Sequence, residues 1–418
     1  MKTIFTILTA VIFSLNVNAQ APCPTGNITL TTQAEIDAFA NVYAHCNIIT
    51  GNLTISGPDI TSTLLLANIT TVLGDITIHD NPSLVMGGWH HLQVVTGNIT
   101  VENNPNLLQL GFPMLSNVPQ SIIIDGNDAL QAIGMPNLQT VTWELTIGFE
   151  DGNASLTNLN GLGSLNSLGD LYIVRNTSLT DISALSNITS VGALDITHNP
   201  ELTNLDGLNN LETVWNYLLI DNNTSLADIS ALSNLTGSVY DLSISGNPAL
   251  TTLEGLNNIT TIDYIYIHSN AVLSDITAIE NADLSFLDQL YINYNPMLSY
   301  CHLSNICDYL DDASNHRSIN YNSGACEDET AVINACNGLS VSELEAFAFN
   351  YYPNPVKDIL TIETQKPVEK IEVFDLSGKK VLNVSGQKQL DMSSLAPGTY
   401  MVRIILKRVI ETVKIIKK

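Results

Sequence analysis

One phrase recurs along the chain: aliphatic, any residue, aliphatic, two residues, Asn, two residues, Leu. It runs as Ile76-x-Ile78-x-x-Asn81-x-x-Leu84, then as Ile99, Val101, Asn104 and Leu107. It returns at Ile122/Ile124/Asn127/Leu130, Leu171/Ile173/Asn176/Leu179 and Leu194/Ile196/Asn199/Leu202. Later copies centre on Asn223, Asn247, Asn270 and Asn295, and the Asn-to-Asn steps are 23, 23, 49, 23, 24, 24, 23 and 25. The step of 49 is a double one, because Leu145/Ile147 supplies a copy whose turn is lengthened through Gly148–Ala154. Leu53/Ile55 adds a copy at the start, with Pro58 where Asn would sit.

Between the copies lie leucines at threes, such as Leu202, Leu205, Leu208, Leu211 and Val214. Neither a strict period of two nor a period of 3.6 describes them. Short extended pieces separated by tight corners, each turning aliphatics inward, predict a mainly β fold: a right-handed β-solenoid of about 11 coils of ~24 residues. One coil buries roughly six aliphatic side chains at ~1.5–3 kcal/mol each, while ordering its backbone costs ~1–2 kcal/mol per residue. A lone coil cannot persist, so the array folds only as an array.

The Asn column (Asn81, Asn104, Asn127, Asn176, Asn199, Asn223, Asn247, Asn270, Asn295) has a mechanical explanation. A side-chain amide at a corner offers donors and an acceptor to backbone groups that the bend leaves unpaired, each worth ~1–3 kcal/mol if buried alone. Pro82, Pro105, Pro200, Pro248 and Pro296 follow directly and fix the turn.

Both ends of the array predict helical, disulfide-bearing caps. Thr32-x-x-Glu35 is a capping-box signature, and Ile36, Phe39, Ala40 and Tyr43 then share a helical face. Cys23 and Cys46 bracket that helix and are expected to pair. At the far end Leu303, Ile306, Cys307 and Leu310 form a helical stripe among Cys301, Cys307, Cys326 and Cys336, whose three pairings stay open. Their spacings miss the paired short motifs of zinc sites, so no metal is expected.

After Asn337-Gly338 the pattern changes. Ile359–Ile362, Ile371–Phe374, Tyr400–Ile404 and Val413–Ile416 alternate as strands, with turns at Asp375-Leu-Ser-Gly378-Lys and Ala396-Pro-Gly398, which predicts a small Ig-like β-sandwich. Charge divides at the same place. Residues 20–348 carry 2 basic and 34 acidic side chains, whereas residues 349–418 carry 12 and 7, within a net charge of −26 for all 418 residues. Such an acidic surface argues against nucleic acid as a partner. At the N-terminus Lys2, the apolar run Ile4–Leu15 and Val17-Asn18-Ala19 read as a secretory signal, too short to span a ~30 Å hydrocarbon core. The expected organisation is a signal peptide (1–19), N-terminal cap (20–50), solenoid (51–298), C-terminal cap (299–337), linker (338–348) and C-terminal domain (349–418), with no transmembrane segment once the signal is removed.

The opening ITLTTQAEIDAF, coils such as LTNLDGLNNLETV, and the closing LSYCHLSNICDYLDD resemble secreted receptor L-domain-like and leucine-rich-repeat proteins of Bacteroidetes, over about residues 23–337. The resemblance implies a solenoid related to the ligand-binding lobes of insulin-receptor-type ectodomains, but not their ligand. YPNPVKDILTI, IEVFDLSGKKV, LDMSSLAPGTYMVRI and the final KIIKK look like the C-terminal sorting domain, type A, of the type IX secretion system, over residues 349–418. That resemblance implies export through the type IX machinery across the outer membrane. It also implies removal of the domain by a sortase, leaving the passenger on the cell surface or released.

No Gly-rich phosphate loop, HExxH, GxSxG or EF-hand loop is present, and no cofactor is expected. His90-His91 beside Trp89 lacks an acidic partner at a useful spacing and reads as a surface loop. A binding face is the stronger expectation. The middle residues of the strands, pointing outward, read Thr54, Thr77, Thr100, Ile123, Thr146, Tyr172, Asp195, Leu219, Ser243, Tyr266 and Tyr291. Flanking outward positions add Asp75, Glu102, Asp125, Asp170, Asp221, Asp241, Tyr264 and Tyr294. Tyrosines among carboxylates suit sugar rings or a protein surface, and Tyr172, Tyr264, Tyr266, Tyr291, Asp170 and Asp241 are the candidate contacts. The sequence therefore predicts a non-enzymatic recognition or adhesion protein. The alternative is a polysaccharide-active β-helix enzyme or carbohydrate-binding accessory.

Overall fold

The computed structural model describes residues 21–338, 350–364, 368–376, 378–406 and 409–418. The expected signal peptide and nearly all of the linker lie outside the described residues. The chain divides into two compact units, Met1–Asn337 and Gly338–Lys418.

The first unit is built on one 14-stranded sheet whose neighbouring strands are all parallel. Its strands follow chain order from Leu53–Ile55 through Ile76–His79, Ile99–Glu102, Ile122–Asp125, Thr140–Ile147, Ser167–Val174, Leu194–Thr197, Tyr217–Asp221, Gly237–Ser245 and Ile259–His268 to Gln289–Asn293. Parallel neighbours in chain order need a return path of about twenty residues. Here the return is made by short strands such as Thr71–Val72 and Met86–Gly88, or by single 3-10 turns such as Ser183–Leu185 and Thr277–Ile279. The leucines at threes are these returns: Leu205, Leu208 and Leu211 are fully buried. One continuous aliphatic core runs from Ile28 to Val332.

The sheet also runs into both caps, which the helical patterns did not reveal. Ile28–Leu30 pairs with Leu53–Ile55, and His316–Asn320 pairs with Gln289–Asn293. The helix Gln33–Val42 begins at Thr32, whose hydroxyl accepts from the Glu35 backbone N–H, while Glu35 returns to accept from the Thr31 N–H at 2.6 Å. Cys23 is bonded to Cys46, Cys301 to Cys326, and Cys307 to Cys336. The last two pin the C-terminal helices Ser304–Leu310 and Glu329–Asn337 over the open end of the core.

The corner that ends each long strand has a fixed construction. The residue before the ladder asparagine adopts a left-handed backbone at Asp80, Asn103, Arg175, His198, Asn222, Ser269, Tyr294 and Tyr321, with φ between 53° and 59°. Gly126, Gly152 and Gly246 hold the same place. Asn153 and Asn322 join the asparagines read from the repeat, so the 49-residue step contains a ladder residue after all. The inserted loop displaces Asn153 from the regular spacing and hides it.

The second unit contains two antiparallel sheets. One joins Asn350–Tyr352, Ile359–Glu363 and Gln389–Asp391; the other joins Lys380–Ser385, Val368–Phe374, Gly398–Leu406 and Val409–Lys417. Val356, Leu360, Ile371, Val402, Ile404 and Ile415 fill the core between them.

Candidate binding face

Within each long strand the aliphatic pair turns inward, so the residue between them lies on the outer surface of the sheet. Most of that column is half-buried, but Thr146 and Ser243 are covered by neighbouring side chains. The structure splits the candidate tyrosines into two groups.

The first group surrounds a concavity of about 710 Å³ lined by Glu102, Ile123, Glu144, Thr146, Phe149, Tyr172 and Tyr217, among others. Tyr172 and Tyr217 reach across the intervening strand so that their hydroxyls meet at 2.6 Å. Burial and this shared hydrogen bond push the Tyr172 hydroxyl far above its usual range. Glu102 is raised by burial and by Asp125, and Glu144 by burial and by Asp170. Tyr217 occupies the flanking position that Asp241 holds on the next strand, and sequence reasoning passed over it.

Asp125 is a correction. It was expected on the open face, yet it is only 7% exposed and holds down the loop that follows the next strand. Its Oδ1 accepts from the backbone N–H groups of Phe149 and Gly152, both at 2.7 Å. The loop that lengthens this coil therefore forms one wall of the concavity. Asp170 is likewise partly engaged, since its Oδ1 accepts from the Ala193 N–H at 2.8 Å. It belongs to a second backbone-bracing series with Asn27, Asn52, Asp75 and Asn98 at the entry to the strands.

The second group begins on the strand next to that of Tyr217 and runs on towards the C-terminal end of the sheet. Tyr266 pairs in register with Tyr291, with ring centroids 6.0 Å apart, and stacks on His268 at 5.4 Å. His268 leads to Tyr294 at 5.1 Å, and Tyr294 stacks on Tyr321 at 4.4 Å. Beside them Tyr264 packs on Tyr240 at 5.2 Å and donates to Asp288 Oδ2 at 2.6 Å, which raises its hydroxyl well above the usual range. Asp241 lies in register between Tyr217 and Tyr264, and burial followed by Asp221 raises its carboxyl. Tyr240, Tyr266, Tyr294 and Tyr321 are exposed; the rings from Tyr291 and Tyr266 through His268 and Tyr294 to Tyr321 form one aromatic band, with the Tyr240–Tyr264 pair beside it. Trp143 and Trp215, also exposed, stand at the strand-entry edge, and Trp215 lies over Gly192, where a Cβ would come within 3.2 Å of the indole.

His90 and His91 are exposed, and Trp89 is fully buried edge-on against Phe112, so this trio forms no site. The one grouping of metal-type side chains among the described residues is Cys23, His45 and Cys46, in which the two cysteines are spent on a disulfide. No helix among the described residues is long and apolar enough to cross a membrane.

Comparison with known families finds two matches. Residues 350–418 match the secretion system C-terminal sorting domain, and residues 45–138 match the receptor L domain. No curated protein matches the chain. The sorting domain marks the protein for the type IX machinery and for the cell surface or extracellular space. The receptor L domain is a ligand-binding family, and neither family is an enzyme family.

Proposed function

We propose that the protein is an exported recognition or adhesion protein whose solenoid face binds a glycan or protein partner through Tyr264, Tyr266, Tyr291 and Asp241. In this reading eleven coils form the passenger, and the Ig-like domain of residues 349–418 is removed by a sortase after translocation. The single observation that carries it is the band of packed rings from Tyr266 through the half-buried His268 and Tyr294 to Tyr321, in which all three tyrosines are exposed. Aromatic faces bordered by acceptors bury large area at little entropic cost, which suits both sugar rings and a protein hot spot.

Polysaccharide cleavage would require two free carboxylates about 5–9.5 Å apart on either side of the scissile bond. Glu144 does lie in register with Asp170, but that carboxylate braces the Ala193 backbone. Binding is therefore the better-supported reading. The test is a glycan array and a pull-down from the native environment with the secreted protein and its Y264A/Y266A/Y291A variant. Loss of the captured partner in the variant supports the face, and an identical profile for both proteins removes it.

A further inference from the structure

We propose that the concavity walled by Phe149, Tyr172 and Tyr217 binds a linear aliphatic polyamine, with ammonium groups reaching Glu102 at one end and Glu144 at the other. The site shares a sheet with the aromatic band above but uses none of its tyrosines.

Four observations converge. The carboxylates of Glu102 and Glu144 are both half-buried, and neither has a hydrogen bond or ion pair among the described residues. Among the described residues, no lysine or arginine lines the concavity. The nearest imidazole, His79, is paired in register with Glu102 but turns its Nδ1 to Asp80 at 2.8 Å. Thr146, only 5% exposed, lines the floor with a hydroxyl that has no partner among the described residues.

The spacing selects the ligand shape. Glu102 and Glu144 lie two strands apart and four residues apart along the strand direction, which places their Cα atoms ~16 Å from each other. That distance is too long for one metal ion to bridge. It fits an extended chain with charge at both ends, laid over Ile123 and Thr146 between them, with Phe149, Tyr172 and Tyr217 as the walls of the concavity. Methylene segments lie well on such a floor, and ammonium groups are attracted to ring faces as well as to carboxylates. A volume of about 710 Å³ is that of a small-molecule site.

Isothermal titration calorimetry of the full-length protein with spermine at physiological salt tests this. The expected result is one saturable site per chain, weakened roughly tenfold or more by E102Q/E144Q. Putrescine, too short to reach both carboxylates, should bind roughly tenfold more weakly than spermine. The exposed acids Asp206 and Glu254 lie outside the concavity, so D206N/E254Q should leave the isotherm unchanged. Y266A/Y291A should leave it unchanged as well, which separates this site from the aromatic band. Equal weakening by D206N/E254Q and E102Q/E144Q would reduce the effect to a general ionic atmosphere and overturn the proposal. Tighter binding of Ca²⁺ or of a two-lysine peptide than of spermine would overturn it too.

Discussion

The side-chain amide of Asn81 donates to Oδ1 of Asn104 at 2.8 Å, and the Asn81 backbone N–H donates to the same oxygen at 3.2 Å. This relationship is the unit from which the solenoid is locked. One or both of these bonds repeat from coil to coil, the amide bond alone at Asn153 and the backbone bond alone at Asn223 and Asn247, as far as Asn295, whose amide and backbone N–H both donate to Asn322 Oδ1. Every amide nitrogen also reaches a strand carbonyl in the preceding coil, as Asn199 does to Ile173 at 2.7 Å.

Truncating one rung removes several buried hydrogen bonds together. N199A leaves the N–H of Asn176 without its partner and takes the amide donor from the carbonyls of Ile173 and Thr197, the latter keeping the Arg175 N–H. At ~1–3 kcal/mol for the orphaned group, with the lost carbonyl bonds added, the expected loss is about 2–4 kcal/mol, measured by denaturant unfolding. N199D should cost a similar amount, because it sets a carboxylate oxygen against two carbonyls. A loss below about 1 kcal/mol would mean that the ladder is ornamental.

The left-handed corners give a prediction of opposite sign. Ser269 holds φ 56° with its Cβ in a conformation that L-residues adopt at a cost, whereas Gly246 fills the same corner one coil earlier. S269G relieves that cost but adds freedom to the unfolded chain, and the balance favours the variant by about 0.5 kcal/mol. A small upward shift of the melting temperature is expected, and a clear downward shift would refute the argument.

The solenoid was legible because each coil buries the same aliphatic pair, so the period survives substitution everywhere else. Leu145 and Ile147 betrayed their coil even though its corner was stretched. The corners themselves were opaque: eight of the left-handed positions carry side chains other than Gly, so no glycine signal marks them. Asn153 was hidden by the inserted loop, and Asn322 by its place inside the cap. The concavity was harder still. Tyr172 and Tyr217 are separated by 45 residues, and Asp125 looks like any outward acid until the loop that it anchors is in view.

That anchoring is testable. D125A removes the acceptor for the N–H groups of Phe149 and Gly152 without touching the core. Hydrogen bonds to a charged acceptor contribute ~1.5–3 kcal/mol, so amide exchange at these two residues should accelerate by one to two orders of magnitude. Exchange at Ile122 and Leu145, inside the sheet, should barely change.

The two units should respond to acid with opposite signs. In the solenoid, burial raises Glu102, Glu144, Asp195 and Asp241 above their usual values. A raised carboxyl binds its proton more tightly in the folded state, so its stabilising effect is lost as pH rises through the folded value. Lowering the pH from neutral towards about 4.5 should therefore raise the amide protection factors, which set each exchange rate against the intrinsic rate at that pH, in Thr140–Ile147 and Tyr217–Asp221. E144Q should mimic part of that gain at pH 7 and flatten the response. In the C-terminal unit Glu372 is held down to about 2 by hydrogen bonds from Lys380 and Lys370, at 2.6 and 2.9 Å. A depressed carboxyl stabilises above its unfolded value of 4.5 and loses that effect as pH falls towards about 2. Amide protection factors in Val368–Phe374 and Gly398–Leu406 should fall across that lower window, and E372Q should remove the fall. Parallel responses in both units would show that net charge, rather than these particular carboxylates, governs the pH dependence.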